Sequence, residues 1–155
     1  MIKAKPTRIF IVDDHPLVRE ALIDIFSDNA SFEIIGQGGS ADDAVAIVGA
    51  HLPDAILLDI RMGSGSGLDV LLALRLADWT QPVVMMTGYA DPRTHERAAE
   101  YGAAVILDKP FDGEDLVRIL QIVIATHPRG LDDDDDEPPT LRSPGRDPWP
   151  AARMG

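Results

Sequence analysis

Five residues with acidic, hydroxyl or amine side chains stand at the ends of short apolar runs. Asp13 and Asp14 follow the first run, Asp59 ends the third, Thr87 ends the fourth and Lys109 lies just past the fifth. Successive spacings from Asp14 are 45, 28 and 22 residues, which correspond to two, one and one strand–helix units. If the strand order is 2-1-3-4-5, the first and third strands are neighbours, and all five side chains meet in one cleft at the carboxyl ends of the strands.

The three carboxylates of this cleft, Asp13, Asp14 and Asp59, would repel one another. Each would be driven to take up a proton unless a cation lay among them. A hard divalent ion with oxygen ligands removes the conflict, and Mg²⁺ suits a site that has few carboxylates and several retained waters. The acidic pair at the mouth of the first strand therefore predicts a magnesium site.

The same cleft suits a phosphoryl group. The metal, the Lys109 ammonium and the Thr87 hydroxyl together form a positive, donor-lined receptor for the charge that develops during phosphoryl transfer. Asp59 is the expected nucleophile, because an aspartate carboxylate can form an aspartyl-phosphate.

Each of these residues also has a more ordinary interpretation. A single Asp after a strand is commonly a helix cap or a turn residue, a Thr on a strand is commonly a β former, and a Lys before Pro commonly lies on the surface. His15 can line the cleft, but at the start of a helix it is more often a loop histidine than a ligand. The joint placement at four strand ends is what favours the site.

The elements that must position these residues follow from the pattern of apolar residues. Short apolar runs predict strands at about 8–12, 32–37, 54–58, 82–86 and 104–107. Amphipathic segments predict helices at about 16–28, 40–51, 66–77, 92–101 and 113–126, with start signals at Ser40, Asp91 and Asp112. Five βα units result, which indicates an α/β fold with a doubly wound parallel (βα)5 sheet, for which the order 2-1-3-4-5 is the one that would bring the polar strand ends together.

Composition limits the class of protein. The chain has 155 residues, of which 45% are hydrophobic, and this is enough for one domain of ordinary size. A formal charge of −12 argues against direct binding of nucleic acid, which requires clustered Lys and Arg. Cysteine is absent, and no signal peptide or stretch of roughly 18 apolar residues is evident. A soluble, cytoplasmic protein without a membrane partner is expected.

The composition changes after Thr126. Residues 127–155 contain an acidic run from Asp132 to Glu137, many prolines and no apolar periodicity. We therefore expect a domain at 1–126 followed by a disordered acidic and proline-rich tail. The acidic run is more simply a solvated charge block than a binding motif, and Trp149 is the one feature that could anchor a partner.

Four segments make residues 7–126 similar to the receiver domains of bacterial response regulators, which have a flavodoxin-like fold. They are IFIVDDHPLVREAL, LLDIRMGSGSGLDVL, VVMMTGYAD and ILDKPF. The resemblance implies that Asp13 and Asp14 bind Mg²⁺, Asp14 directly and Asp13 largely through water. It further implies that Asp59 is the phosphoacceptor and that the carbonyl of Arg61 is another metal ligand.

The resemblance also implies a signalling role. Thr87 and Lys109 would contact the phosphoryl oxygens, and the Lys109-Pro110 peptide would be cis. A sensor histidine kinase or a histidine phosphotransfer protein would donate the phosphoryl group to Asp59, with the receiver itself catalysing the transfer. Thr87 would then bias the face formed by the fourth helix, fifth strand and fifth helix toward a downstream protein partner. The chain would be a monomer or a weak dimer and not an enzyme acting on an external substrate.

Three departures from the family pattern stand out. Ile106 occupies the usual aromatic switch position, three residues before Lys109. Gly63 replaces the common proline, and the Gly-Ser run from 63 to 67 predicts a more mobile loop after Asp59. The start of the chain is similar to regulators that carry a DNA-binding helix-turn-helix, but nothing after Thr126 resembles one, so an output domain is expected to be missing.

Two functional hypotheses from different classes remain. The first is a stand-alone phosphoacceptor that signals by protein contact or serves in a phosphorelay. The second is a phosphorylation-independent adaptor on a receiver scaffold, motivated by Ile106 and the glycine-rich loop. A phosphatase is weaker, because no second acid/base or substrate pocket is evident. Arg61 and Tyr89, each two residues beyond a site residue, are predicted to tune hydrolysis of the acyl phosphate.

Overall fold

Strands and helices alternate along the chain in a computed structural model, which describes residues 5–41, 46, 49–63, 65–88 and 91–127. The strands are β1 (Thr7–Val12), β2 (Phe32–Gly38), β3 (Ala55–Asp59), β4 (Arg61–Met62), β5 (Gly65–Ser66), β6 (Val83–Thr87) and β7 (Val105–Asp108). The helices with described bounds are α1 (Pro16–Ser27), α2 (Gly67–Leu76), α3 (Pro92–Glu100) and α4 (Gly113–Thr126).

Five of the strands form one parallel sheet in the order β2-β1-β3-β6-β7. Because β4 and β5 stand apart as a two-stranded hairpin, β6 and β7 are the fourth and fifth strands of the sheet. The predicted order 2-1-3-4-5 is therefore confirmed. The strand bounds differ from the prediction by one residue at most, so that Asp59 and Thr87 are the last residues of their strands.

The sheet is covered on both faces, as a doubly wound fold requires. Alternate residues of each central strand belong to different hydrophobic clusters, so Phe10 and Ile56 face one way and Ile9 and Leu57 the other. The first cluster includes apolar residues of α2 and α3, and the second includes those of α1 and α4. All five residues of β3 and of β6 are buried, which explains why both read as continuous apolar runs.

Two predicted features reach beyond the described residues. In the helix expected at 40–51, residues 41, 46 and 49–51 have helical backbone and Ser40 lies in a bend, whereas residues 42–45 and 47–48, including Asp43 of the expected capping box, lie outside the described residues. The expected tail lies outside them from residue 128 onward. Within the described part of the chain, none of the helices has the length and apolar character that crossing a bilayer requires.

Two helix starts are confirmed at the residues that the sequence indicates. The Asp91 carboxylate accepts a hydrogen bond of 2.8 Å from the Thr94 N–H at the start of α3, and this bond holds the pKa of Asp91 below its usual value. The Asp112 carboxylate accepts a bond of 3.1 Å from the Glu114 N–H at the start of α4. Both caps satisfy amide donors that have no partner within the helix.

Gly67 sets the distance between β3 and α2, and so fixes the chain just beyond Asp59. The Gly67 N–H donates a hydrogen bond of 2.8 Å to the Ile60 carbonyl. A Cβ at this position would lie only 2.2 Å from the Asp59 carbonyl oxygen. Because a backbone atom cannot swing aside as a side chain can, only glycine fits here.

Gly67→Ala is therefore expected to lower the free energy of unfolding by about 1–3 kcal/mol, the usual cost of overpacking. Gly88→Ala is the matched control, since nothing lies within 4 Å of a Cβ built there. Urea unfolding of the two variants and the parent measures the difference. Equal midpoints for the two alanine variants would contradict the close approach at Gly67.

Arg75 ties together three segments at the amino end of the sheet. Its guanidinium donates hydrogen bonds to the carbonyls of Trp79 at 2.7 Å, Gln81 at 3.0 Å and Gly102 at 2.8 Å. The end of α2 is thereby joined to the loop before β6 and to the turn after α3. Burial lowers the pKa of this guanidinium.

Candidate functional site

Three carboxylates meet at the carboxyl end of the sheet. Val12 of β1 pairs with Leu58 of β3, so the residues that follow, Asp13 and Asp59, are neighbours across the two strands. Ligand atoms of Asp13, Asp14, His15 and Asp59 all lie within 4.8 Å of one another. Asp13 is fully buried and Asp59 is 3% exposed, so water screens their charges poorly.

Lys109 supplies the cationic side chain of this cluster. Its Nζ lies 2.7 Å from Asp13 Oδ2 and 3.6 Å from Asp59 Oδ1. Its backbone N–H donates a hydrogen bond of 2.7 Å to the Thr87 carbonyl, which anchors the lysine beside the end of β6. The peptide bond from Lys109 to Pro110 is cis, as the family resemblance implies.

The surroundings of Asp59 raise the pKa of its carboxyl well above the usual value. Burial is the main cause that raises its pKa, and the neighbouring Asp13 raises it further. The ammonium of Lys109 and a hydrogen bond from the Arg61 N–H act in the opposite direction, and the balance brings the pKa to about 6. At neutral pH Asp59 is therefore mostly an anion, but it is held at a cost in free energy.

The two acids of the pair are bonded differently. Asp13 Oδ1 accepts a hydrogen bond of 2.9 Å from the His15 N–H, and Asp13 Oδ2 accepts the one from Lys109. Asp14 Oδ2 accepts a bond of 2.9 Å from the Gly63 N–H. Asp14 Oδ1 is buried and has no hydrogen-bond partner among the described residues, although His15 Nδ1 lies 2.9 Å away in a geometry that makes no such bond.

This arrangement fits a hard divalent cation. A buried carboxylate oxygen without a donor is costly unless something positive lies against it. Asp14 Oδ1 is such an oxygen, and the oxygens of Asp13 and Asp59 are close enough to share one ion with it. All-oxygen donors of this kind suit Mg²⁺, and the Asp14 carboxylate is the member with an oxygen to spare for direct contact.

The remaining candidate residues lie around this cluster with different exposures. Thr87 ends β6 and is 1% exposed, while Arg61 is exposed at the start of β4. The His15 side chain is 66% exposed even though its Nδ1 faces both acids of the pair. Ile106 is partly buried and packs against the first hydrophobic cluster. Tyr89 lies outside the described residues.

Two contacts were not anticipated from the sequence. Gly63 was singled out as a source of mobility and not as a hydrogen-bond donor to Asp14. The guanidinium of Arg19 donates to the Asp13 carbonyl and, at 2.9 Å, to Gln37 Oε1, which joins α1 to the ends of β1 and β2. No periodicity or motif signals either contact, because both depend on how loops fold back in space.

Residues 9–121 match the family model of the response regulator receiver domain. The match covers more than half of the chain and includes most of β1, every element described above from α1 to β7, and most of α4. The chain therefore belongs to the receiver domain family of the response regulators. Phosphorylation and Mg²⁺ binding at an acidic pocket are typical of this family.

Relatives and solved structures agree with the family assignment. The transcriptional regulatory protein PdtaR of Mycobacterium tuberculosis is 30% identical over 125 residues, which are 79% of this chain and 58% of that protein. The receiver domain of the putative response regulator NarL from the same organism has a TM-score of 0.75 and 28% identity, covering 79% of this chain and 99% of that one. The chain spans between half and three fifths of the length of the curated PdtaR and NarL proteins of Mycobacterium tuberculosis.

A third comparison concerns a complex. The structure of CheX with CheY, BeF3 and Mg²⁺ from Borrelia burgdorferi has a TM-score of 0.72 and 25% identity with this chain, covering 76% of this chain and 89% of that one. In that protein the receiver fold occurs together with a protein partner, a magnesium ion and a beryllium fluoride group. Interaction with histidine kinases and downstream partners is general among receiver domains.

Proposed function

We propose that Asp59 accepts a phosphoryl group from a sensor histidine kinase or a histidine phosphotransfer protein in a reaction that depends on Mg²⁺. The observation that carries the proposal is the cluster of Asp13, Asp14 and Asp59, of which Asp13 and Asp59 are buried and have Lys109 Nζ between them. Such a cluster is unfavourable for stability alone, and it is well suited to stabilising a transferring phosphoryl group.

The transfer follows from the chemistry of the groups present. A carboxylate oxygen of Asp59 attacks the phosphorus, one phosphorus–oxygen bond forms, and the bond from phosphorus to the donor histidine nitrogen breaks with the electron pair going to that nitrogen. Asp59 must be ionised to attack, and its pKa of about 6 leaves it mostly ionised at neutral pH. When bound, Mg²⁺ supplies positive charge that offsets the charge on the phosphoryl oxygens and on the acids.

The residues of this chain that would hold the metal are Asp14 and Asp59 through carboxylate oxygens and Arg61 through its carbonyl, with Asp13 acting largely through water. Asp13 suits the indirect role because both of its oxygens already accept hydrogen bonds. Lys109 and Thr87 are the residues that would contact the phosphoryl oxygens. Lys109 would exchange part of its contact with Asp13 for one with the new dianion.

The proposed output is a change in the face formed by α3, β7 and α4. Thr87 ends the strand next to β7, and its backbone pairs with Asp108, so a movement of Thr87 toward the phosphate would be felt directly on β7. Ile106 also lies on β7, and its side chain packs against the first hydrophobic cluster. An aliphatic side chain there can shift within its packing but offers no ring rotation, so the partner surface would be altered through β7 and α3.

The decisive experiment is labelling with acetyl phosphate in the presence and absence of Mg²⁺, followed by intact mass measurement. The parent is expected to gain one phosphoryl group only with Mg²⁺, and Asp59→Asn none. Asp24→Asn, at an exposed position on α1, is the matched control and should label as the parent does. Equal labelling of the parent and Asp59→Asn would refute the proposal.

A second function is supported by one observation, the partly buried aliphatic residue at position 106, which packs against the first hydrophobic cluster. A phosphorylation-independent adaptor would bind its partner through the same fold with no need of a switch. The affinity for a downstream partner, measured with and without beryllofluoride, separates the two functions. We expect beryllofluoride to change the affinity; the same affinity in both states would favour the adaptor.

In either case we propose that the signal leaves by protein contact or phosphorelay and not through a DNA-binding segment within these 155 residues.

Arg61 and Tyr89 are predicted to tune the lifetime of the acyl phosphate. Arg61 lies on the hairpin beside Asp59, where its charge acts on the approach to the phosphoryl group, and Tyr89 follows Thr87 by two residues. Tyr89→Ala is expected to shorten the half-life by opening a path for water, and Arg61→Ala to change it by removing a cation. Phosphate release from the purified phosphoprotein measures both, and half-lives equal to that of the parent would defeat the prediction.

A further inference from the structure

The hairpin after Asp59 is bonded to the acidic pair through one backbone amide. Gly63 lies between the paired residues Met62 and Gly65 of β4 and β5, and its φ of +45° belongs to the left-handed region that favours glycine. In this conformation its N–H reaches Asp14 Oδ2 at 2.9 Å across 49 residues of sequence. The contact joins the loop that carries Arg61 to the acid expected to touch the metal.

This hydrogen bond places the two carboxylate oxygens of Asp14 in different environments. Oδ2 is engaged by the Gly63 amide, and Oδ1 is the buried oxygen that has no hydrogen-bond partner among the described residues. We infer that the Gly63 amide is a positioning group that makes Asp14 a one-oxygen ligand and thereby favours Mg²⁺ over Ca²⁺. The inference rests on the proposed magnesium-dependent function and adds to it the means by which the site selects its ion.

The selectivity follows from the coordination habits of the two ions. Mg²⁺ requires a near-octahedral set of about six oxygens and retains several waters, so it takes one oxygen from each carboxylate. Ca²⁺ takes six to eight oxygens and readily binds both oxygens of one carboxylate. A carboxylate whose second oxygen is held by an amide is therefore a better ligand for the smaller ion.

The identity of residue 63 is essential to this role. Proline, the residue common at this position in the family, has no backbone N–H and cannot adopt a positive φ, so it cannot make this bond. A Cβ at Gly63 would lie 3.8 Å from Asp14 Oδ2, which is ordinary contact distance. Asparagine keeps the N–H and tolerates the left-handed conformation better than other residues with a Cβ.

The test is isothermal titration calorimetry of the unphosphorylated full chain with Mg²⁺ and, separately, with Ca²⁺. Gly63→Pro is expected to weaken Mg²⁺ binding about tenfold, as loss of a group that orients a ligand does, and to weaken Ca²⁺ binding less, so that the ratio of the two dissociation constants falls. Gly63→Asn is expected to keep the ratio of the parent. An unchanged ratio in Gly63→Pro would overturn the inference.

Two further measurements separate positioning from a merely structural role. Ser66→Ala removes the cap that accepts the Leu68 N–H at 3.1 Å, and so loosens the same hairpin without touching Asp14; it should leave the ratio unchanged, and a fall as large as that in Gly63→Pro would overturn the inference. In the parent, the Gly63 amide should stay protected from hydrogen exchange in the Mg²⁺ complex. Exchange at the rate of an unprotected amide would also overturn it, whether or not Gly63→Pro folds.

Failure of the inference and failure of the proposed function give different results. If the parent binds Mg²⁺ and accepts a phosphoryl group, while Gly63→Pro has the same ion ratio, only the role of Gly63 is wrong. If the parent binds no Mg²⁺ at all, the magnesium site is wrong and the inference falls with it.

Discussion

Asp59→Asn is expected to be more stable than the parent when divalent cations are absent, by up to about 3 kcal/mol at about pH 7.5. The reason is that folding buries the Asp59 carboxylate beside Asp13 and raises its pKa from 3.8 to about 6. Asp59→Asn removes the proposed phosphoacceptor, and it also removes the free-energy cost of burying an ionised carboxylate beside Asp13. Urea unfolding in the presence of a chelator measures the difference.

The dependence on pH has a definite sign. Because the folded chain holds the proton of Asp59 more tightly than the unfolded chain does, this group lowers the stability of the parent as the pH rises from about 4 to about 6. Above that window the penalty is complete, and below it the penalty is absent. The advantage of Asp59→Asn should therefore disappear as the solution is acidified through the same window.

Magnesium should reduce the difference in free energy of unfolding between Asp59→Asn and the parent. At ten times its dissociation constant the ion would stabilise the parent by about 1.4 kcal/mol, and Asp59→Asn would gain less because it has lost a ligand. Asp24→Asn on the exposed side of α1 removes the same charge without burial and should match the parent throughout. A gap between Asp59→Asn and the parent that stays constant from acid to neutral pH would show that burial of this charge is not its source.

Lys109→Met is expected to lower the free energy of unfolding by about 3–5 kcal/mol in the presence of a chelator. The fully buried carboxylate of Asp13 would lose its contact of 2.7 Å with Lys109 Nζ, and Asp59 would lose the cation that lowers its pKa. Methionine is similar in length to the lysine stem, so the change removes the charge with little loss of volume. Chemical unfolding with and without Mg²⁺ measures the effect, and Mg²⁺ is expected to restore part of the loss.

An exposed ion pair serves as the control for this prediction. Arg118 Nη1 lies 3.5 Å from Asp115 Oδ1 on α4, and both side chains are more than half exposed. Arg118→Met should change the stability by less than about 1 kcal/mol, as pairs in water do. If Lys109→Met were no less stable than Arg118→Met, the buried cation would not be holding the acids together.

The central strands and their order could be predicted because the relevant signals lie in short stretches of sequence. β3 and β6 are buried at every residue, so each apolar run continues up to the polar residue that ends the strand. The order 2-1-3-4-5 was assumed because it would bring those polar ends together. The hairpin of β4 and β5 was missed for the opposite reason. Strands of two residues have no periodicity, and a Gly-Ser run there gives no apolar signal.

The contacts that each site residue makes could not be predicted in the same detail. Lys109 was expected to serve the phosphoryl group, yet in the structure its nearest carboxylate is Asp13 and not Asp59. The contact of Gly63 with Asp14 depends on a positive φ in a hairpin that the sequence did not reveal. Both facts depend on the path of the backbone in space, whereas the types of residue at the strand ends can be read from the sequence directly.

The hydrogen bonds of Arg75 lie at the amino end of the sheet, opposite the acidic cluster at the carboxyl end, and the two ends should respond differently to pH. The three acceptors of the Arg75 guanidinium are main-chain carbonyls. Because carbonyls neither gain nor lose a proton where carboxylates titrate, these hydrogen bonds should not change when the pH changes the charge on Asp59. Amide protection from hydrogen exchange around Gly102 should therefore stay constant from about pH 4 to about pH 6, whereas protection around Asp59 should fall as the pH rises through this window. Without divalent cations, loosening that starts near Asp59 should therefore appear as the pH rises through this window, and protection around Gly102 provides the reference for it.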